Sequence, residues 1–405
     1  MKSRTTRVMA ISAVAALALA ACGDDEEEGT TATTAAAAQT TVATEDSTAD
    51  STADTAAGED GVLAGVCPET VVIQTDWNPE AEHGWIYEMI GDGYEIDATA
   101  VAVRGPLVAG GVDTGVDIEI RSGGPAIGYQ TVTSQMYTDE SIMLGYVYTD
   151  EAIQNSSDFP TIAVMAGMEK NPQMIMWDPE TYPDVETIAD IGEAGITTLY
   201  FGGAAYMDYF TQTGILSADQ VDGSYDGTPA RFTGEQGAVA QQGFGSAEPY
   251  IYANEVTDWM KPVNYAYIND AGWENYAESI AIRADSLEDN RACLELLVPI
   301  IQQSSVDFVT DPAETNAVII DAVDTYDNGW IYSAEVAEYG VATMLGDGLL
   351  SNGPDDTLGN FDMDRVNGLI EIAIPVYESL GQTPKEGLTA EDIVTNEFID
   401  ESIGL

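Results

Sequence analysis

Positive charge is scarce in this chain: 12 Lys and Arg stand against 70 Asp and Glu in 405 residues, a formal net charge of −58. Nonspecific nucleic-acid binding needs a Lys/Arg footprint, and docking on an anionic membrane surface needs a polybasic cluster; both are excluded. Histidine and cysteine are almost absent, with one His and three Cys. That leaves no material for a His-rich metal centre or a choice of catalytic bases. Also absent are a P-loop, a G-x-S-x-G elbow, a G-x-G-x-x-G turn and any internal repeat. The acids do not imply disorder, because 45% of residues are hydrophobic and the charges are spread along the chain. They read as a solvated acidic shell.

The N-terminus carries processing signals. Lys2, Arg4 and Arg7 precede an uncharged run from Val8 to Ala21, too short to span a bilayer but matched to a signal h-region. The run ends Leu19-Ala20-Ala21-Cys22, which resembles the bacterial lipobox: 1–22 reads as a lipoprotein signal region in which Cys22 is lipidated and becomes the mature N-terminus. Residues 23–60 hold ten Thr, ten Ala and eleven acids with no aromatic residue. Such a stretch buries too little apolar surface to offset its ordering entropy and reads as a disordered tether. Export in turn predicts a disulfide between the two remaining thiols, Cys67 and Cys293.

Beyond residue 60, short apolar runs alternate with helical periodicity. Strands are predicted at 71–73, 116–120, 142–144, 162–165, 174–176, 197–201, 265–268 and 280–282. Helices are predicted around Trp85–Ile90, Leu294–Ile301, Val336–Gly340 and Val366–Ala373. The alternation predicts an α/β fold. Two lobes accommodate it better than one sheet. The Pro-rich stretch at 177–183 and the segment 263–273 mark the boundaries. The expected division is 61–180 and 266–405 for lobe I, with 181–265 inserted as lobe II.

Ligands of open α/β sheets sit at the carboxyl ends of strands. Asp76 and Trp77 follow the first strand, and an indole there can stack on a planar ligand. Ser122, Gly123 and Gly124 follow the second good strand, where glycine N–H groups can donate to a ligand. Gly202 and Gly203 end a strand of the second lobe with the same chemistry. Glu248, held between Ala247 and Pro249, offers a carboxylate, and Tyr250 lies beside it. The acidic loop 353–364 lacks the frame and closing Glu of a calcium hand. His83, with no Cys or second His near it in sequence, predicts no transition-metal site. No cofactor is expected.

Val72-Ile73-Gln74-Thr75-Asp76-Trp77-Asn78-Pro79-Glu80-Ala81-Glu82-His83-Gly84 resembles the opening motif of substrate-binding proteins of the SsuA and thiamine-pyrimidine-precursor (NMT1/THI5-like) group. Gly243 to Tyr250 is similar to that family's glycine-to-Glu-Pro-Tyr segment. The chain departs from the family at 91–114, where it is longer. The resemblance implies a type II periplasmic-binding fold, two α/β lobes with a ligand cleft between two crossovers. It implies a non-enzymatic, lipid-anchored, monomeric receptor on the outer face of the cell membrane, serving the permease and ATPase of an ABC importer. The family takes aminopyrimidines, sulfonates and nitrate. The global negative charge and the aromatic-bearing motifs favour a neutral or cationic planar heterocycle, with a sulfonate- or nitrate-type anion as the alternative. A relative of the same fold makes the thiamine pyrimidine with iron at the expense of its own histidine. Here the lone His, without a Cys-rich motif beside it, argues against such an enzyme.

Overall fold

The computed structural model describes residues 61–405. The expected lipidation at Cys22, signal segment and tether fall on residues outside that range. Twelve strands occur among the described residues: β1 Thr70–Gln74, β2 Glu95–Asp97, β3 Ala102–Ala109, β4 Val112–Arg121, β5 Leu144–Val147, β6 Thr161–Met165, β7 Gln173–Trp177, β8 Thr198–Leu199, β9 Val221–Asp222, β10 Ala240–Phe244, β11 Asn264–Tyr267 and β12 Ser279–Arg283. They form two sheets, of order β2-β3-β4-β1-β5-β12-β6 and β11-β7-β10-β8-β9. The chain builds the first sheet, crosses to the second between β6 and β7, and returns between β11 and β12.

The central strands run parallel, β1 with both β4 and β5, and β8 with both β9 and β10. Parallel strands covered on both faces read as continuous apolar runs. β1 (Thr-Val-Val-Ile-Gln) is buried from Val71 onward, and β5 throughout. Helices supply the cover. The helix Gly84–Tyr87 packs on the 24-residue helix Leu287–Thr310, and Gly84 permits the approach: a Cβ there would meet the Phe308 ring at 2.1 Å. The helix Met363–Ser379 spans the lobes, touching Thr149–Gln154 of the first and Ala205–Thr213 of the second.

Two expectations need correction, the first lobe boundary and the strand at 197–201. β7 belongs to the second sheet, paired with β10 and β11, so the first crossover is 166–172 and not the neighbourhood of 180. The Pro-rich stretch after Trp177 ends a strand; it does not divide lobes. Segment 91–114 contributes β2, β3 and the start of β4, widening the first sheet at its edge; β3 turns into β4 through Gly110-Gly111, both at positive φ, as a two-residue hairpin requires. The strand expected at 197–201 is only Thr198–Leu199; Phe201 beyond it makes an isolated antiparallel bridge with Ser224 before the Gly202-Gly203 turn.

Cys67 and Cys293 are bonded as a disulfide, with Cα atoms 4.8 Å apart. The bridge joins the segment before β1 to the helix Leu287–Thr310.

The crossovers are tied to each other. Asn171 Nδ2 donates to Asn275 Oδ1 at 2.8 Å, and both side chains are buried. Arg365, at the start of the lobe-spanning helix, donates to Glu169 through both its backbone oxygen (2.8 Å) and its carboxylate (2.9 Å). Its remaining donors reach the Glu274 and Asn275 carbonyls, and its guanidinium sits 3.8 Å above the Tyr276 ring. One side chain therefore grips both crossovers.

Candidate functional site

Strand β1 delivers the chain into a turn held by side-chain bonds to backbone carbonyls. Thr75 Oγ1 donates to the Trp77 and Arg121 carbonyls, and Gln74 Nε2 reaches the Arg121 and Ser122 carbonyls. The turn projects Asp76, Trp77 and Glu80 into a cavity of about 330 Å³. The opposite wall comes from the second sheet: Phe201 and Gly202 after β8, Gln242 to Phe244 of β10, and Glu248. Trp330 closes one side. Its indole N–H donates to the Pro79 carbonyl at 3.3 Å, and Asn328 bonds Asn78, so the 327–333 loop is folded back on the β1 turn.

The walls are aromatic. Trp77 lies 6.1 Å from Trp330 in an edge-on arrangement and 6.4 Å from Phe201, and Phe201 is 4.9 Å from Tyr225. Three carboxyl groups, Asp76, Glu80 and Glu248, line the same cavity, and no Lys or Arg does. Glu248 Oε2 accepts from the Phe244 N–H at 2.7 Å. Burial pushes the Glu248 carboxyl up to about 7 despite that bond. Burial, and then the charges of Glu82, Glu278 and Asp76, push Glu80 well above the usual carboxylate range.

Gln242 lines this wall with its side-chain oxygen engaged: it accepts from Tyr206 OH (2.7 Å) and from the Phe201 N–H (3.0 Å). Two contacts cross between the lobes close by. Ser246 hydroxyl donates to the buried Glu82 carboxyl, and Tyr339 hydroxyl to the Gly245 carbonyl. A larger groove of about 730 Å³ runs between the Gly110-Gly111 turn and helix Leu287–Thr310, but it takes no residue from the second sheet or the crossovers.

The architecture matches solved structures. The periplasmic aliphatic sulphonate binding protein SsuA from Escherichia coli superposes with a TM-score of 0.50 at 14% identity, over 80% of this chain and 96% of that one. The fold is that of a periplasmic binding protein. A structure from Bordetella bronchiseptica (TM-score 0.48, 14% identity, 82% of this chain and 96% of that chain) and the periplasmic nitrate-binding protein NrtA from Synechocystis (0.46, 9%, 82% and 87%) are further neighbours. No protein-family model and no curated protein matches the sequence.

Within this periplasmic-binding fold, Asp76, Trp77, Gly202 and Glu248 come together at the cavity, and the other candidates do not. Gly123 and Gly124 spend their N–H groups on the Trp77 and Asp76 carbonyls, each at 2.8 Å. They shape the turn instead of meeting a ligand: Gly124 has φ +52°, and a Cβ there would strike the Trp77 ring at 2.5 Å. Ser122 is buried, its backbone held by Val101 and Gln74. Gly203 is exposed off the wall. Tyr250 turns away to pack on Tyr339, 5.5 Å between ring centres. Arg121, the donor an anion would call on, is consumed by Glu119 (2.6 Å), Asp139 (2.9 Å) and Ser141.

Trp330, Tyr225 and Glu80 were not foreseen as wall residues. Asn328-Gly329-Trp330 carries the faint signal of an aromatic residue behind a turn, but only the folded chain brings it beside Trp77.

Proposed function

We propose that the protein is an extracytoplasmic solute-binding receptor, lipid-anchored through Cys22, that delivers a planar cationic small molecule to the permease and ATPase of an ABC importer. An aminopyrimidine of the thiamine-precursor kind has the right chemistry. The observation that carries this reading is the composition of the cleft, with aromatic faces around three carboxyl groups and no basic side chain. Aromatic faces attract cations through their quadrupole. A carboxylate accepts two coplanar hydrogen bonds, matching a ring N–H beside an exocyclic amine. Glu248 opens the helix Glu248–Asn254, and the Phe244 N–H bond to its Oε2 preorganises that acceptor.

The anion alternative is disfavoured because Arg121 and the Gly123 and Gly124 N–H groups are engaged within the protein. The test has two steps. Native mass spectrometry of the purified chain identifies any co-purified small molecule. Calorimetry then compares a protonated aminopyrimidine with an alkyl sulfonate. Binding of the aminopyrimidine alone is expected; binding of the sulfonate alone would overturn the cation reading.

A further inference from the structure

Behind the Trp77 wall lies a second cluster that the cleft does not explain. Asp76, His83 and the distant Glu278 each present a ligand atom, and these atoms lie within 4.8 Å of one another. His83 and Glu278 are fully buried. His83 Nε2 stands 3.1 Å from Asp76 Oδ1, and it is the only base in ion-pair range of the cluster among the described residues. Both carboxylate oxygens of Glu278 lack any hydrogen-bond partner, as does His83 Nδ1. Glu80 and Glu82 are buried alongside, adding carboxyl groups without adding a counter-charge.

A buried carboxyl group needs a partner in either protonation state. A neutral acid would need an acceptor for its proton, and none is bonded to either oxygen of Glu278. A cation satisfies both oxygens and the surrounding negative charge together. We propose that Asp76, His83 and Glu278 form a binding site for a divalent transition-metal ion of the zinc class, set in the floor of the cleft. The donor set, one imidazole and two carboxylates, suits zinc, whereas calcium and magnesium prefer oxygen alone. With bonds of about 2.0–2.2 Å, neighbouring ligand atoms on such an ion lie roughly 2.9–3.5 Å apart, which includes the Asp76–His83 separation.

Three protein ligands leave a coordination position open. Asp76 also lines the ligand cavity. Glu278 ends the second crossover, one residue before β12. The ion therefore joins the β1 turn to a crossover and changes the charge that the cleft presents. The site stands on its own geometry and does not depend on the identity of the transported solute.

The test uses the full chain, freed of metal by chelation and reloaded with zinc chloride. Calorimetry should find one tight equivalent in the parent. Glu278→Gln and His83→Gln should each weaken it at least tenfold, while the acidic surface contributes only weak binding common to all three proteins. X-ray absorption at the zinc edge of the unmutated protein gives a readout that is independent of how the variants fold. An imidazole in the zinc shell supports the site; an all-oxygen shell, or no tight equivalent, overturns it. Tight binding unchanged in correctly folded variants overturns it as well.

Discussion

At the residue scale, the cleft assigns unequal roles to its side chains. Trp77 offers a face and Glu248 a charge. Aromatic stacking is worth ~0.5–1.5 kcal/mol beyond area burial, and a hydrogen bond to a charged group ~1.5–3. Trp77→Ala should therefore weaken a bound ring about tenfold in calorimetry, and Glu248→Gln should weaken a cationic ring further. Because burial raises the Glu248 carboxyl to about 7, its charge is lost as pH falls through that value. Affinity for a cation of constant charge should decline from about pH 8 to 6, and Glu248→Gln should flatten the profile. Trp77, Gly202 and Glu248 were legible because each adjoins a strand end. Gly123 and Gly124 misled because a sequence does not show which carbonyls have already taken an N–H. The cluster around His83 was not legible for a related reason: Glu278 reaches it only through the second crossover.

At the scale of elements, β10 shows what apolar patterning overlooks. Ala-Gln-Gln-Gly-Phe has no β-branched residue, yet Ala240 to Gly243 are buried between β7 and β8. The glutamines are tied in through single ends: Gln241 Nε2 donates to Tyr252 OH, while its buried oxygen has no partner, and the Gln242 oxygen accepts twice. The strands β1, β6, β7 and β12 were legible because their burial is carried by Val, Ile and Met. The helix Met363–Ser379 was legible by its apolar stripe; that Arg365 grips both crossovers was not. Arg365→Ala should cost ~2 kcal/mol in denaturant unfolding, since it strips several charged hydrogen bonds. It should also raise amide hydrogen exchange in segments 166–172 and 268–278 above that of β1. Equal protection in parent and variant would show that the clamp does not hold the crossovers. The Cys67–Cys293 bridge closes a sequence separation of 226 residues. Replacing both Cys by Ser should lower stability by ~3–5 kcal/mol, and thiol counting on the unreduced parent should find no free thiol in residues 61–405.

At the scale of the whole molecule, strand–helix alternation exposed a two-lobed α/β body, while the edges of the lobes were harder to place. β7 ends at Trp177 in a turn held by Asp178, just before Pro179, and a stop at a strand end looks in sequence like a linker. Charge acts at this scale too. Burial raises Glu151, Glu169 and Glu248 each to about 7 from an ordinary value of 4.5. Between those values the folded chain binds more protons than the unfolded one, so stability falls as pH rises through the window. Relief of self-repulsion among 70 acids acts in the same direction. The melting temperature measured by calorimetry should be higher near pH 5.5 than near pH 8; the opposite order would show that other ionisations govern the balance.

The Cys67–Cys293 bridge has a mechanical consequence. Tension applied to the chain ahead of Gly61 arrives at Cys67 before it arrives at β1. The covalent link passes that load into the long helix Leu287–Thr310, so β1 is spared from being unzipped from its neighbours one hydrogen bond at a time. The turn bearing Asp76 and Trp77 hangs directly from the end of β1. With the bridge intact, a pull on the N-terminal segment leaves the cleft geometry slack; with the bridge reduced, the same pull is transmitted along β1 to the ligand wall.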